Sequence, residues 1–139
     1  QQTTQEKQAN TSSTSQTLFN LKLLAYERII LFIERIKPDS FIPRTLSPSL
    51  PYQEYQLLLI NEIRKEFEYN LSQQLYLSEN AWEVTVNFKD NIITLINSAA
   101  TSCPPQATAS DLARKILEHY ISSDLKGDQI SKIVKAEIQ

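Results

Sequence analysis

The stretch AYERIILFIERIKP, residues 25–38, carries Glu27-Arg28 and, seven positions on, Glu34-Arg35 in an otherwise apolar segment. On a helix, residues seven apart lie one above the other, so the two pairs form an acidic row and a basic row. Such rows can act as an ion-pair ladder toward a neighbouring helix or toward a second copy of the chain. A second charged stretch, NEIRKEFE, offers Glu62, Arg64, Glu66 and Glu68 as polar partners. Carboxylates at helical spacing can also work as an acid/base pair or as metal ligands. Here Glu62 and Glu66 share a helix face, but Arg64, Lys65 and an aromatic ridge flank them. That composition favours a solvated or ion-paired face over a metal or acid/base site.

The remaining reactive side chains are isolated. His119 is the only histidine, so a zinc site needing two histidines is excluded within one chain. Ser122 and Asp124 lie beside it in sequence but form no recognisable triad, and His119 reads as a surface or interface residue. Cys103, the only cysteine, excludes an internal disulfide. It precedes Pro104-Pro105 without a cationic neighbour or helix N-terminus to lower its pKa, so it reads as a small loop residue. No Glu-x-x-His pair exists for a di-iron site. Gly127 is the only glycine, which rules out a phosphate loop or dinucleotide fingerprint. No catalytic residue, metal or cofactor is assigned. A binding domain is favoured over an enzyme, and the alternative is a small-ligand or enzymatic domain whose interhelical pocket is lined by Glu62, Glu66 and Arg35.

The chain has 139 residues, enough for one core, and a formal net charge of −2. Nothing in that balance attracts nucleic acid, and a nucleic-acid adaptor would have to show a basic face. The expected partner is a protein or another copy of this chain. No run reaches the roughly 18–20 apolar residues of a membrane span, because Lys22, Glu27, Arg28, Glu34 and Arg35 interrupt the longest one.

The elements that must position these residues read as all-α: a single-domain bundle of four to five helices with a proline-rich crossover after the first. Residues 1–16 hold one apolar side chain, Ala9, and read as a flexible linker or frayed helix extension before a helical domain at 17–139. Thr17 is expected to cap a helix that runs to Lys37 and stops at Pro38. Its seam is Leu18, Ala25, Ile29, Phe32 and Ile36, widened by Phe19, Tyr26, Ile30 and Ile33, so burial nearly all round is expected. Leu24 and Leu31 lie between the acidic and basic rows. Prolines 38, 43, 48 and 51 predict a semi-extended crossover. The second helix follows to about Tyr76, with Tyr55, Leu59, Ile63, Phe67, Leu71 and Leu75 as one ridge. Two periods compete after Ser78. Trp82, Val84, Val86 and Phe88 alternate like a strand, whereas Trp82, Val86, Ile93 and Ile96 fit a helix face. Length and the Ser78 cap favour the helix. After TSCPPQA, Thr108 or Ser110 opens a helix with Leu112, Ala113, Ile116, Leu117, Tyr120 and Ile121. Asp128 caps a last one carrying Ile130, Ile133, Val134 and Ile138.

Three stretches, LKLLAYERIILFIERIKP with the following IPR, IRKEFEYNLSQQLYLSENAW, and INSAA, resemble an uncharacterised family from Bacteroidetes bacteria. The resemblance covers most of residues 20–100. It implies an N-terminal transmembrane helix followed by a cytoplasmic helical domain. The present chain would then be the soluble part, held at the inner membrane through a segment that precedes it, with residues 1–16 as a juxtamembrane linker. The family has no established activity, so the resemblance supplies no catalytic residue. The expected function is a non-enzymatic cytoplasmic interaction or oligomerisation domain.

Overall fold

The structure, a computed structural model, describes the backbone of residues 4–138 and the side chains of residues 12–138. Six α-helices follow one another: α1 (Thr4–Ile36), α2 (Pro38–Thr45), α3 (Tyr52–Tyr69), α4 (Glu79–Thr101), α5 (Ala109–Ser122) and α6 (Gly127–Ala136). A 3-10 segment, Leu71–Tyr76, links α3 to α4. No strand forms among the described residues; one isolated antiparallel bridge joins Pro51 to Thr108.

The all-α expectation holds, but the element count is higher, for two local reasons. The proline-rich crossover begins with a helix. Pro38 stands at the first helical position, where its missing N–H is not needed and its fixed φ suits the turn. Pro43 lies inside α2 and forfeits one ladder bond, on a side where both it and Asp39 are exposed. Phe41 and Ile42 of this short helix enter the core, which compensates. The second helix, in turn, ends at Tyr69 rather than Tyr76. Asn70 turns its side-chain amide back onto the Glu66 carbonyl (2.8 Å), and the chain tightens into the 3-10 segment. The ridge is therefore cut: Tyr55, Leu59 and Ile63 are buried, Phe67 is half-buried, and Leu71 and Leu75 are exposed.

Helix wins over strand after Ser78. Its hydroxyl accepts the Ala81 N–H (3.0 Å), an N-cap that starts α4 where expected. The buried face is Ala81, Thr85, Phe88, Ile92, Leu95, Ile96 and Ala99, so the expected face of Trp82, Val86 and Ile93 is rotated outward by about one position. Those three are half-buried. At the start of α5, Asp111 accepts from both the backbone N–H (2.9 Å) and the hydroxyl (3.2 Å) of Thr108, which fixes Thr108 as the cap. The last helix begins at Gly127, and Asp128 lies inside its first turn instead of capping it.

α1 packs against α6, α4 and the 3-10 segment, while α3, α4 and α5 pack on one another. The core on α1 is Ala25, Tyr26, Ile29, Phe32, Ile33 and Ile36, all buried. Each fully buried Ile or Phe contributes about 1.5–3 kcal/mol, so this half of the helix anchors it. The N-terminal half does not follow. α1 starts at Thr4, with Thr17 in its interior donating to the Ser13 carbonyl (2.9 Å). Every residue from 12 to 22 is exposed, Leu18, Phe19 and Leu21 among them. Leu18 and Phe19 belong to the expected seam; they are exposed because the bundle is shorter than the helix. At about 1.5 Å per residue, α1 is about 50 Å long and overhangs the core.

Backbone bonds close the other side. Tyr52 donates to the Ala107 carbonyl (3.1 Å) and Ala109 to the Leu50 carbonyl (2.7 Å), clasping the crossover to the α4–α5 loop. Tyr55 is fully buried within 2.9 Å of the Thr45 hydroxyl. The single proton of that hydroxyl goes to the Phe41 carbonyl (2.9 Å), so Tyr55 is the donor. Phe32, Phe67 and Trp82 pack in series as tilted ring pairs with centroids 5.9 and 5.4 Å apart, and the Lys89 ammonium stands 4.1 Å over Phe67.

Candidate functional site: the outward face of α1 and its two neighbours

The four charges of α1 meet three different environments. Arg35 reaches α3, donating from Nε (3.1 Å) and Nη2 (2.8 Å) to the same Glu66 oxygen. That bond keeps the Arg35 guanidinium above its ordinary pKa. Arg44 of α2 adds a weaker contact to Glu66 at 3.8 Å and donates to the Arg35 carbonyl (3.0 Å). Glu34 turns to the opposite flank. It accepts from Ser131 of α6 (2.7 Å) and pairs with Lys37 (2.8 Å). Glu27 and Arg28 are exposed and make no hydrogen bond or ion pair among the described residues. Of the expected partners on α3, Glu66 alone bonds to this stripe. Glu62 lines the same cleft without a bond, and Arg64 and Glu68 lie on the exposed side of α3.

Sequence reasoning missed Lys37. Its side chain is buried, with the residue only 7% exposed, yet its ammonium lies 2.8 Å from Glu34 and 2.7 Å from Asp128. Burial alone would lower its pKa; the hydrogen bonds to Asp128 and Glu34 more than offset that and raise it. The bond from Lys37 in turn holds both the Glu34 and the Asp128 carboxyls below their usual range. Gly127 sits against the Lys37 stem. A Cβ there would fall 2.3 Å from Lys37 Cδ and 2.4 Å from Cγ, and the Gly127 N–H donates to the Tyr120 hydroxyl (3.0 Å). Its φ is not positive, so close approach requires the glycine, not backbone conformation. The one signal in the sequence was that lone glycine itself.

Between α1 and α3 lies a cleft of about 490 Å³. Arg28, Arg35 and Lys65 supply its positive groups, Glu62 and Glu66 its negative ones, and Leu31, Phe32 and Tyr69 its apolar wall. It is open at the rim, where Leu31 is 58% and Tyr69 80% exposed. The interhelical pocket considered from the sequence thus has a physical counterpart, with Lys65 and Tyr69 as unforeseen lining. His119 lies away from it, in a shallow depression with Glu118, Ser122 and Ser123. Cys103 is buried beside the Ala99 carbonyl, and burial pushes its thiol pKa up, the reverse of an activated nucleophile. Among the described residues, no group of three His, Cys, Asp or Glu side chains is placed to hold a metal ion, and no helix is long and apolar enough to cross a membrane.

The fold and this surface define a compact all-helical domain with one overhanging helix and no assembled reactive centre among the described residues. The chain belongs to the family of unknown function DUF7935, whose match runs over residues 1–139. No curated protein and no solved structure matches it.

Proposed function

We propose that this domain is a non-enzymatic interaction or oligomerisation module of a membrane-attached bacterial protein, acting on the cytoplasmic side of the inner membrane. Its contact surface is the outward face of α1. One observation carries this: Leu24 and Leu31, 47% and 58% exposed, stand in line on that face beside Glu27 and Arg28, which have no partner among the described residues. Single exposed leucines are ordinary on a protein surface. Beyond them, Leu18, Phe19 and Leu21 are exposed as well, around a stretch of helix clear of the core. An isolated helix stretch rich in Ser, Thr, Asn and Gln is marginal in water, so packing against a partner would stabilise it. The membrane attachment, with residues 1–16 as linker, draws its support from the resemblance to membrane-anchored proteins.

The test is a photo-crosslinking side chain at position 31 of the full-length protein in its native cell, with position 110, exposed on α5, as control. Protein adducts from position 31 and none from 110 are expected. No adduct from 31, or equal adducts from both, refutes the proposal.

A second reading has its own observation. The α1–α3 cleft has the volume of a small-molecule site, commonly about 300–1,000 Å³, and its mixed charges suit a zwitterion. Dipeptide probes would then raise the melting temperature of the wild type and not of a Glu62→Gln, Lys65→Met variant. An unmoved wild type removes this reading.

A further inference from the structure

The charge order on α1 gives its outward face an acidic flank and a basic flank. At about 100° per residue, the line through Leu24 and Leu31 is a midline, with Glu27 about 50° to one side and Arg28 about 50° to the other. Glu34 repeats the acidic flank and Arg35 the basic one, although each already has a partner within the chain. The core side of the helix, through Ala25, Ile29, Phe32 and Ile36, points away from this midline, so the bundle leaves it open.

We propose that this face pairs with the same face of a second copy, the two α1 helices lying parallel and in register. Two helices related by a parallel two-fold axis bring the left flank of one against the right flank of the other. Glu27 of each copy then meets Arg28 of the other, and Leu24 and Leu31 each meet their own counterparts. An antiparallel pair would set acidic flank against acidic flank and basic against basic. The surface is therefore complementary to itself in one direction only. Parallel pairing also carries the two overhanging N-terminal halves side by side, where Leu21 would shelter against the partner helix. It places both chain starts at one end, as attachment to a single membrane requires. The patch is small, so the association is weak and is strengthened by tethering.

This inference rests on the reading of α1 as an interaction surface, and its test separates the two. In the full-length protein, Leu24→Cys and Leu31→Cys each form a disulfide-linked homodimer under mild oxidation, because register pairing brings like positions together. The wild type, whose only cysteine is buried, is the control. Adding Glu27→Arg to Leu24→Cys reduces the yield roughly fivefold by setting arginine against arginine, and so does adding Arg28→Glu. Mixing those two variants restores the crosslink, since one helix then carries two bases and the other two acids. Crosslinking only between Leu24→Cys and Leu31→Cys chains would mean antiparallel pairing and overturn the proposal. Absence of crosslinks, with heterologous photo-adducts at position 31, would overturn it too while leaving the interaction reading intact. Absence of both removes the two together.

Discussion

Alanine at position 127 is a sharp probe of the junction between α1 and α6. On helix propensity alone, Gly127→Ala should stabilise the first turn of α6 by up to about 1 kcal/mol. The space is occupied, however: the new Cβ would lie 2.3 and 2.4 Å from two carbons of the Lys37 stem. Lys37 is buried along that stem and fixed at its tip by Glu34 and Asp128, so it has little room to yield. Overpacking of this kind costs about 1–3 kcal/mol, and displacing the ammonium weakens two ion pairs whose acids are partly solvated. The expected net loss is about 1–2 kcal/mol. For a 139-residue domain that lowers Tm by about 3–7 °C, read by far-UV circular dichroism at neutral pH. In a Lys37→Ala background the clash disappears, the nearest remaining atom being the Tyr120 hydroxyl at 3.1 Å. There the same substitution should be neutral or slightly stabilising, giving a coupling of about 1–3 kcal/mol. A higher Tm for Gly127→Ala in the wild type, or an equal loss in both backgrounds, would refute the close-approach argument.

Three further outcomes follow from the same contacts. Ser78→Ala removes the acceptor of the Ala81 N–H and the hydroxyl bonded to Glu137, and should cost about 1 kcal/mol in urea unfolding, with no loss counting against the cap. Glu66→Gln weakens the Arg35 bond between side chains 42% and 18% exposed; the cost is about 0.5–1 kcal/mol and shrinks in about 1 M salt, whereas a salt-independent loss would mean packing, not charge. Stability should fall at both ends of a pH series. Glu34 and Asp128 titrate below their ordinary 4.5 and 3.8 when folded, so their contribution is present above those values and lost as pH drops through the folded pKa. Burial raises Tyr55 and Tyr120 above 10.0, so stability is full below that pH and is lost above it, where the unfolded chain ionises first. Lys37→Met should flatten the acid limb, and an unchanged acid limb in that variant would contradict the junction.

The local sequence determined much of this protein. Ser78 starts its helix because its hydroxyl satisfies the Ala81 N–H, α5 starts at Thr108 because the Asp111 carboxylate three residues on satisfies the Thr108 N–H, and Ala25, Ile29, Phe32 and Ile36 share a face because 3.6-residue geometry puts them there. The period also set Leu24 and Leu31 between an acidic and a basic row. It could not say which charges would be taken. Glu34 and Arg35 are answered by α6 and α3; Glu27 and Arg28, one heptad earlier, make no hydrogen bond or ion pair among the described residues. That difference arises from where neighbouring helices end, which no periodicity records. Lys37, Gly127 and Asp128 are separated by about ninety residues and meet only through packing, as does the cleft between α1 and α3. Helix formation is a short-range balance of propensity, capping and amphipathic period, whereas the pairing of side chains across helices depends on crossing points and lengths fixed by the whole core.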